Sequence, residues 1–194
     1  SMLYDIDNKT FPTLESFLEY SDGASVAPAS IFVHLCCLKE ENGQYVTPDY
    51  DVIAMARPCA IFSYLVHIIR DFQEDQLNNL NYFAADILEK HGITFAELKE
   101  IAMGKSIPDS FRKVVAEYHE QAILYGLQTN EVLGKLQNEL NGRYLLSLHI
   151  IFHLYQMVFD KIDVANGSFT REELNPTASE IREKVMELVS AFYD

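Results

Sequence analysis

The run Pro58-Cys59-Ala60-Ile61-Phe62-Ser63-Tyr64-Leu65-Val66-His67-Ile68-Ile69-Arg70-Asp71-Phe72-Gln73-Glu74-Asp75 decides the fold. From Pro58 to Ile69 nearly every position is apolar, so a helix here has no polar side to offer to water and belongs in the middle of a bundle. The run then ends in Arg70 and three carboxylates. On a helix Asp71 and Asp75 share a face, with Glu74 beside Asp71 at the three-residue spacing. Like charges a turn apart repel, and negative side chains near a helix C-terminus oppose its dipole, each effect worth a few tenths to ~1 kcal/mol. Two readings of the cluster stand. It is a solvated acidic helix end, or it is relieved by a bound cation; Mg²⁺ suits the second, being typically shared between one or two carboxylates and substrate phosphates.

Outward from this run, helix signals account for most of the chain. Thr47, Pro48, Asp49 and Asp51 predict the start of the central helix, which should run to about Asp75 with a kink near Ala54 to Arg57, or a split, caused by Pro58. Upstream, Thr13 to about Tyr20 reads as a short amphipathic helix broken by Asp22-Gly23, and a second helix runs from Pro28 to the turn at Glu41-Asn42-Gly43. Downstream, a short helix from Ala84 to His91 stops at Gly92, and a Thr94/Glu97 capping box opens another that ends at Gly104. Pro108 opens a long helix reaching Gly134 with a break near Gly126, and a further helix spans about Gln137 to Ile162. After the Asn166-Gly167 loop, Thr177 with Glu180 caps a last helix to about Tyr193. No segment alternates at period two. The expectation is an all-α bundle, with residues 1–12 an irregular segment and 13–194 one helical domain.

The bulk numbers narrow the function. With 48% hydrophobic residues in 194, the chain can bury a substantial core. A net charge of −14 without any basic run makes nucleic acid and anionic membrane surfaces poor electrostatic partners. An anionic substrate therefore needs a metal or a local arginine cluster. Cys36, Cys37 and Cys59 are odd in number and lie in apolar surroundings, so reduced core thiols and a cytoplasmic location are expected. Ser1-Met2 reads as a tag remnant before an internal start, so the natural protein is expected to extend upstream. Leu145 to Phe159 is strongly apolar, but no uninterrupted run reaches membrane-spanning length. His149 and His153, four apart, read as core or pocket lining ahead of a metal pair, because Ile150 stands where the zinc-protease motif has glutamate. Tyr118, His119 and Tyr125 are read chiefly as helical core.

Three ordered stretches together resemble the squalene/phytoene synthase family, the head-to-head prenyl diphosphate synthases. Ser63 to Asp75 is similar to that family's second aspartate-rich motif, an Arg-Asp followed by Glu-Asp. Tyr82-Phe83-Ala84-Ala85-Asp86-Ile87-Leu88 and the Gly92 turn are similar to the tyrosine-led segment and short helix after it. Thr13 to Tyr20 is similar to the helix that ends in the family's tyrosine. The resemblance implies an isoprenoid-synthase bundle around a prenyl-binding cavity and an isoprenoid diphosphate substrate. It implies that Asp71, Glu74 and Asp75 hold Mg²⁺, that Arg70, Asp71 and Asp75 are catalytic, and that Arg70, Tyr64, His67 and Tyr82 contact substrate. Ionisation of an allylic diphosphate loads charge onto the leaving group, which Mg²⁺ and a guanidinium would stabilise. Ile61, Phe62, Leu65, Ile68 and Ile69, facing Phe152, Leu154, Tyr155 and Phe159, are expected to line a dry tunnel. A peripheral membrane contact for product release goes with this reading.

The departures from the family pattern define a second reading. The family's other aspartate-rich motif has no counterpart here. Tyr64 and His67 stand where the family has glutamine and asparagine, Leu80 stands at the place of an arginine, and Ala84 at that of the usual proline. The alternative is a non-catalytic relative acting as an isoprenoid or lipid-binding or assembly factor. Because the match covers roughly the latter two-thirds of the family's domain, apolar helix faces are expected to be uncovered and to favour a homodimer.

Overall fold

The computed structural model describes residues 10–193, so residues 1–9 of the expected irregular segment lie outside the described residues. Thr13 opens the first helix, α1 (Leu14–Ser21), through a capping box in which Thr13 and Ser16 exchange backbone and hydroxyl hydrogen bonds of 3.1 Å. Asp22-Gly23 does not break the chain there. The backbone stays right-handed through a π-helical segment, Asp22–Val26, into α2 (Ala27–Cys37). Two tertiary bonds hold this segment against the next helix: the Asp22 carboxylate accepts from Arg57 Nε at 2.8 Å, and the Ser25 hydroxyl donates to the Ala60 carbonyl at 3.0 Å. A local glycine preference yields to those anchors.

After α2 come two short antiparallel strands, β1 (Lys39–Glu41) and β2 (Gln44–Val46), paired with Glu41 opposite Gln44. Asn42 and Gly43, at φ 54° and 79°, form the two-residue turn between them. This hairpin departs from the strand-free expectation: the Asn42-Gly43 turn joins two strands and does not simply end a helix.

The central helix, α3 (Val52–Arg70), starts later and ends sooner than expected. Asp51 is its N-cap, accepting from Ile53 and Ala54 N–H at 2.9 and 3.1 Å, while Thr47-Pro48 lies in the preceding loop. Pro58 lies inside one continuous helix, without a split. Ile61, Phe62, Leu65, Ile68 and Ile69 are at most 2% exposed, whereas Ile53 in the first turn of α3 is 60% exposed. By length and composition α3 passes for a membrane span, yet just over half of its apolar window, 56%, is packed inside the protein.

α3 stops at Asp71, and the chain resumes as α4 (Phe72–Leu77), α5 (Ala85–Lys90) and α6 (Phe95–Ala102). The Thr94/Glu97 capping box forms as expected. The long helix α7 (Asp109–Leu136) passes Gly126 unbroken, because that glycine faces the core: a Cβ there would meet the Phe62 ring at 3.4 Å. α8 (Gly142–Phe159) starts at the Asn141 cap, five residues past the expected Gln137, since residues 137–141 form a turn. A short helix absent from the sequence reading, α9 (Arg171–Leu174), precedes α10 (Ala178–Tyr193), which begins at the expected Thr177/Glu180 pair. α3 packs most extensively on α7 and also meets α2 and α8, so one buried cluster links residues from Phe11 to Leu174. The three cysteines are free, with Cys36 and Cys37 buried.

Candidate functional site

The site forms where α3 gives way to α4. Asp71 has φ −95° and ψ 3°, a sparsely used region in which many active-site residues sit. Its N–H still donates to the His67 carbonyl at 2.9 Å and its own carbonyl accepts from Asp75 N–H at 2.9 Å, so the one-turn spacing survives the break. Phe72 fixes the change of direction by entering the core, its ring centroid 4.6 Å from that of Phe111 and 5.8 Å from that of Phe83.

The Asp71 carboxylate is buried and surrounded by cationic donors. Arg70 grips it with both arms, Nε to Oδ1 at 2.9 Å and Nη2 to Oδ2 at 3.0 Å. His67 Nε2 reaches Oδ2 at 2.8 Å, and Arg171 Nε reaches Oδ1 at 3.1 Å. Arg70 Nη2 also lies 2.7 Å from His67 Nδ1, which fits a tautomer with Nε2 donating to Asp71 and Nδ1 accepting from arginine. Burial opposes ionisation of Asp71, but the His67 and Arg70 hydrogen bonds outweigh it and hold the carboxyl well below the usual range. Asp75 is shifted the other way, up to about 6, first by burial and then by the charge of Asp71. Glu74 is exposed and pairs with the Nη1 arm of Arg171.

The residues present do not fit Mg²⁺ in this arrangement. Arg70 donates to both Asp71 oxygens, and His67 and Arg171 stand at ion-pair distance from the same oxygens, so protein cations already surround this carboxylate. Among the described residues no group of three or more His, Cys, Asp and Glu side chains is gathered as a ligand set. Of the side chains expected to hold metal, Asp71 and Glu74 face cations that belong to the protein.

The other expected residues do converge. Tyr64 lies 5.4 Å from Phe17, 6.3 Å from Tyr20, 6.1 Å from Tyr82 and 6.4 Å from His67 between ring centroids. The three stretches that carry the family resemblance therefore meet in one aromatic wall beside Asp71. Leu80 is 42% exposed, and its N–H closes the turn after α4 on the Asp75 carbonyl. A second guanidinium does reach the junction, from Arg171, a hundred positions downstream of Asp71 and without a local sequence signal. Ala84 has a structural reason: its buried N–H donates to the Tyr118 hydroxyl at 2.7 Å, a bond that proline would remove.

The open space lies on the other side of α3 from the expected wall. A cavity of about 250 Å³ is lined by Met55, Ala56, Cys59, Ala60 and Ser63 of α3, against residues of α2, α7 and α8 that include Tyr155. Ile61, Phe62 and their neighbours pack solid instead, Phe62 lying 5.2 Å from Phe152 and 5.6 Å from Phe159. Large side chains fill their face, whereas Ala56, Ala60 and Ser63 leave room on the other. A second hollow, lined by Ala24, Ser25, Ser63, Tyr64, His67 and Tyr155, shares Ser25, Ser63 and Tyr155 with the cavity. A third, also touching Tyr155, is lined by Arg70 and Leu154. The apolar space thus adjoins the cationic junction. Cys59 lines it as an inert thiol, pushed up to about 11 by burial. His149 and His153 stack 5.8 Å apart, but His153 Nδ1 is engaged by the His149 carbonyl at 2.8 Å, and His119 stacks on Phe159.

The sequence model of the squalene/phytoene synthase family matches residues 1–180. Among curated proteins none matches the sequence. Of solved structures, a dehydrosqualene synthase in complex with ligand is similar, with TM-score 0.76 and 16% identity over 97% of this chain and 61% of the other. The chain thus spans 61% of that structure's length, and the likeness shows a shared all-α fold.

Proposed function

The chain belongs to the squalene/phytoene synthase family, and from that premise we propose that it binds an isoprenoid diphosphate and takes part in squalene- or phytoene-type prenyl transfer. The observation that carries this reading is the join between an apolar cavity and a cationic junction on one helix. The small-residue face of α3 runs from Met55, Ala56, Cys59, Ala60 and Ser63 to Tyr64, His67 and Arg70. A prenyl chain suits the first part and a diphosphate the second. The Nη1 arm of Arg70 supplies donors to phosphate oxygens, while Asp71 and His67 hold its Nε and Nη2 in orientation. Donors already oriented stabilise the charge that gathers on a departing diphosphate. The apolar walls keep water from an allylic cation. Mg²⁺, which members of this family generally use, would supply Lewis-acid charge to the same oxygens, but Asp71 is surrounded by protein cations.

Exposed apolar side chains, Ile31 and Leu35 on α2 and Ile123, Leu124 and Leu127 on α7, support self-association as part of this reading. The test is calorimetric titration of farnesyl diphosphate into the chain, with Mg²⁺ and again with EDTA, repeated on Ala60→Leu and Arg70→Gln. Binding that Ala60→Leu weakens through the filled cavity, and Arg70→Gln through the lost fork, is the expected result. No heat under any condition overturns the proposal for this chain.

A further inference from the structure

We propose that the space beside α3 takes a single isoprenoid tail of about fifteen carbons, with Leu133 and Leu136 of α7 closing its far end and so fixing the longest tail that fits. This rests on the prenyl-diphosphate reading and adds to it the number and length of the tails. The direction of the cavity, its volume and lining, and the openness of the neighbouring groove carry it.

Direction follows from the way α7 runs against α3. Phe111 meets Phe72, a Cβ on Gly126 would meet Phe62, and the Tyr125 hydroxyl accepts from Arg57, so positions later in α7 lie beside positions earlier in α3. On α7 the cavity wall is Thr129, Val132, Leu133 and Leu136, a stripe at helical spacing that continues towards the start of α3. The end at Ser63 and Tyr155 therefore adjoins the hollow of Tyr64 and His67, and the end at Met55 and Ala56 is the far one. There Leu133 and Leu136, one turn apart, are buried. From Met55 to Ser63 the helix advances ~12 Å.

Volume sets the size. An apolar cavity of about 150 Å³ holds one benzene ring, six carbons. On that scale about 250 Å³ takes about ten carbons, or two isoprene units. The unit next to the diphosphate lies in the hollow of Tyr64 and His67, which makes about fifteen in all. The lining suits hydrocarbon, because its Ser and Thr hydroxyls are turned onto backbone carbonyls: Ser25 donates to Ala60 at 3.0 Å, Ser63 to Cys59 at 2.7 Å and Thr129 to Tyr125 at 2.8 Å. A second tail finds no such enclosure. Tyr155 stands between the cavity and the groove at Arg70. That groove is larger, about 470 Å³, but it lies at the surface, with Asn175 exposed and Pro176 and Ile181 only half-buried along one side. A tail there stays in water and gains little from burial.

The test is calorimetry on the whole chain with geranyl, farnesyl and geranylgeranyl diphosphate, for the native protein and for Ala56→Leu, Leu133→Ala and Leu136→Ala. The native chain should bind one ligand, farnesyl at least about tenfold tighter than geranyl because five more carbons are buried, and geranylgeranyl no tighter than farnesyl. Ala56→Leu, which fills the far end, should remove the advantage of farnesyl and weaken geranyl less. Leu136→Ala and Leu133→Ala, which deepen that end, should each make geranylgeranyl the tightest ligand. A merely structural role for these residues would shift all three ligands alike. That result, two ligands per chain, or geranylgeranyl binding tighter than farnesyl in the native protein would each overturn the length limit and leave the prenyl-diphosphate reading standing. No heat from any of the three ligands overturns that reading, and the length limit with it.

Discussion

Asp75 and Asp71 are one turn apart, yet their environments push them in opposite directions, and pH separates them. The folded pKa of Asp75, about 6, lies above the ~3.9 of an unfolded aspartate. Between those values the folded state binds more protons than the unfolded, so this group lowers stability as pH rises from about 4 to 6 and holds it down above. Asp75→Asn should therefore stabilise the fold at pH 7.5 by about 1–2 kcal/mol after allowance for solvent screening, and by little at pH 4. Urea unfolding at the two pH values checks this, and an equal gain at both would contradict it. Asp71, whose carboxyl is depressed, has the reverse sign: its stabilisation is present above the unfolded pKa and lost as pH falls through the folded one. A second residue-scale outcome concerns Tyr118. Tyr118→Phe strands the buried Ala84 N–H and should lower stability by about 1–3 kcal/mol. Faster amide exchange at Ala84 would identify that bond as the cause; unchanged exchange would discount it.

At the scale of elements, the ends of helices were harder to read than their existence. The capping boxes expected at Thr94 and Thr177 are local, within three residues, and both form; a third, between Thr13 and Ser16, opens α1 with no acidic side chain. The end of α3 is not local. Nothing between Ile69 and Asp75 breaks a helix by propensity; the break follows from Phe72 reaching Phe111 and Phe83, and from Arg171 docking on Asp71. Likewise Asp22-Gly23 stays helical because Arg57 and the Ala60 carbonyl lie across from it. The segment between α8 and α9 offers the sharpest element-scale test. A Cβ on Gly167 would come within 2.6 Å of the Asp163 carbonyl oxygen, which the Gly167 N–H itself approaches at 2.7 Å. Gly167→Ala should therefore displace the loop at about 1–3 kcal/mol and lower Tm by several degrees. A scan showing Tm unchanged would mean that the loop adjusts without strain.

For the whole molecule, the division of α3 into two faces organises everything else. Bulky side chains knit it to α7 and fill the core, and alanine and serine on the other side leave the cavity that adjoins His67 and Arg70. The apolar residues left exposed on α2 and α7 lead to a prediction at this scale. Light scattering should show a mass above that of one chain as concentration rises, and Leu35→Lys with Leu127→Lys should restore the single-chain mass. A single-chain mass at high concentration in the native protein would count against it.

The sequence by itself determined the all-α class, the central place of α3, the three motif stretches that converge on Asp71 and the family to which the chain belongs, because periodicity, caps and motifs are local and survive without coordinates. Only the tertiary structure decided which side of α3 is hollow, since the volume left over depends on what packs opposite each residue. It alone also decided how Asp71 is neutralised, because Arg171 reaches it from a hundred positions away through a loop held by Phe169 and Arg112.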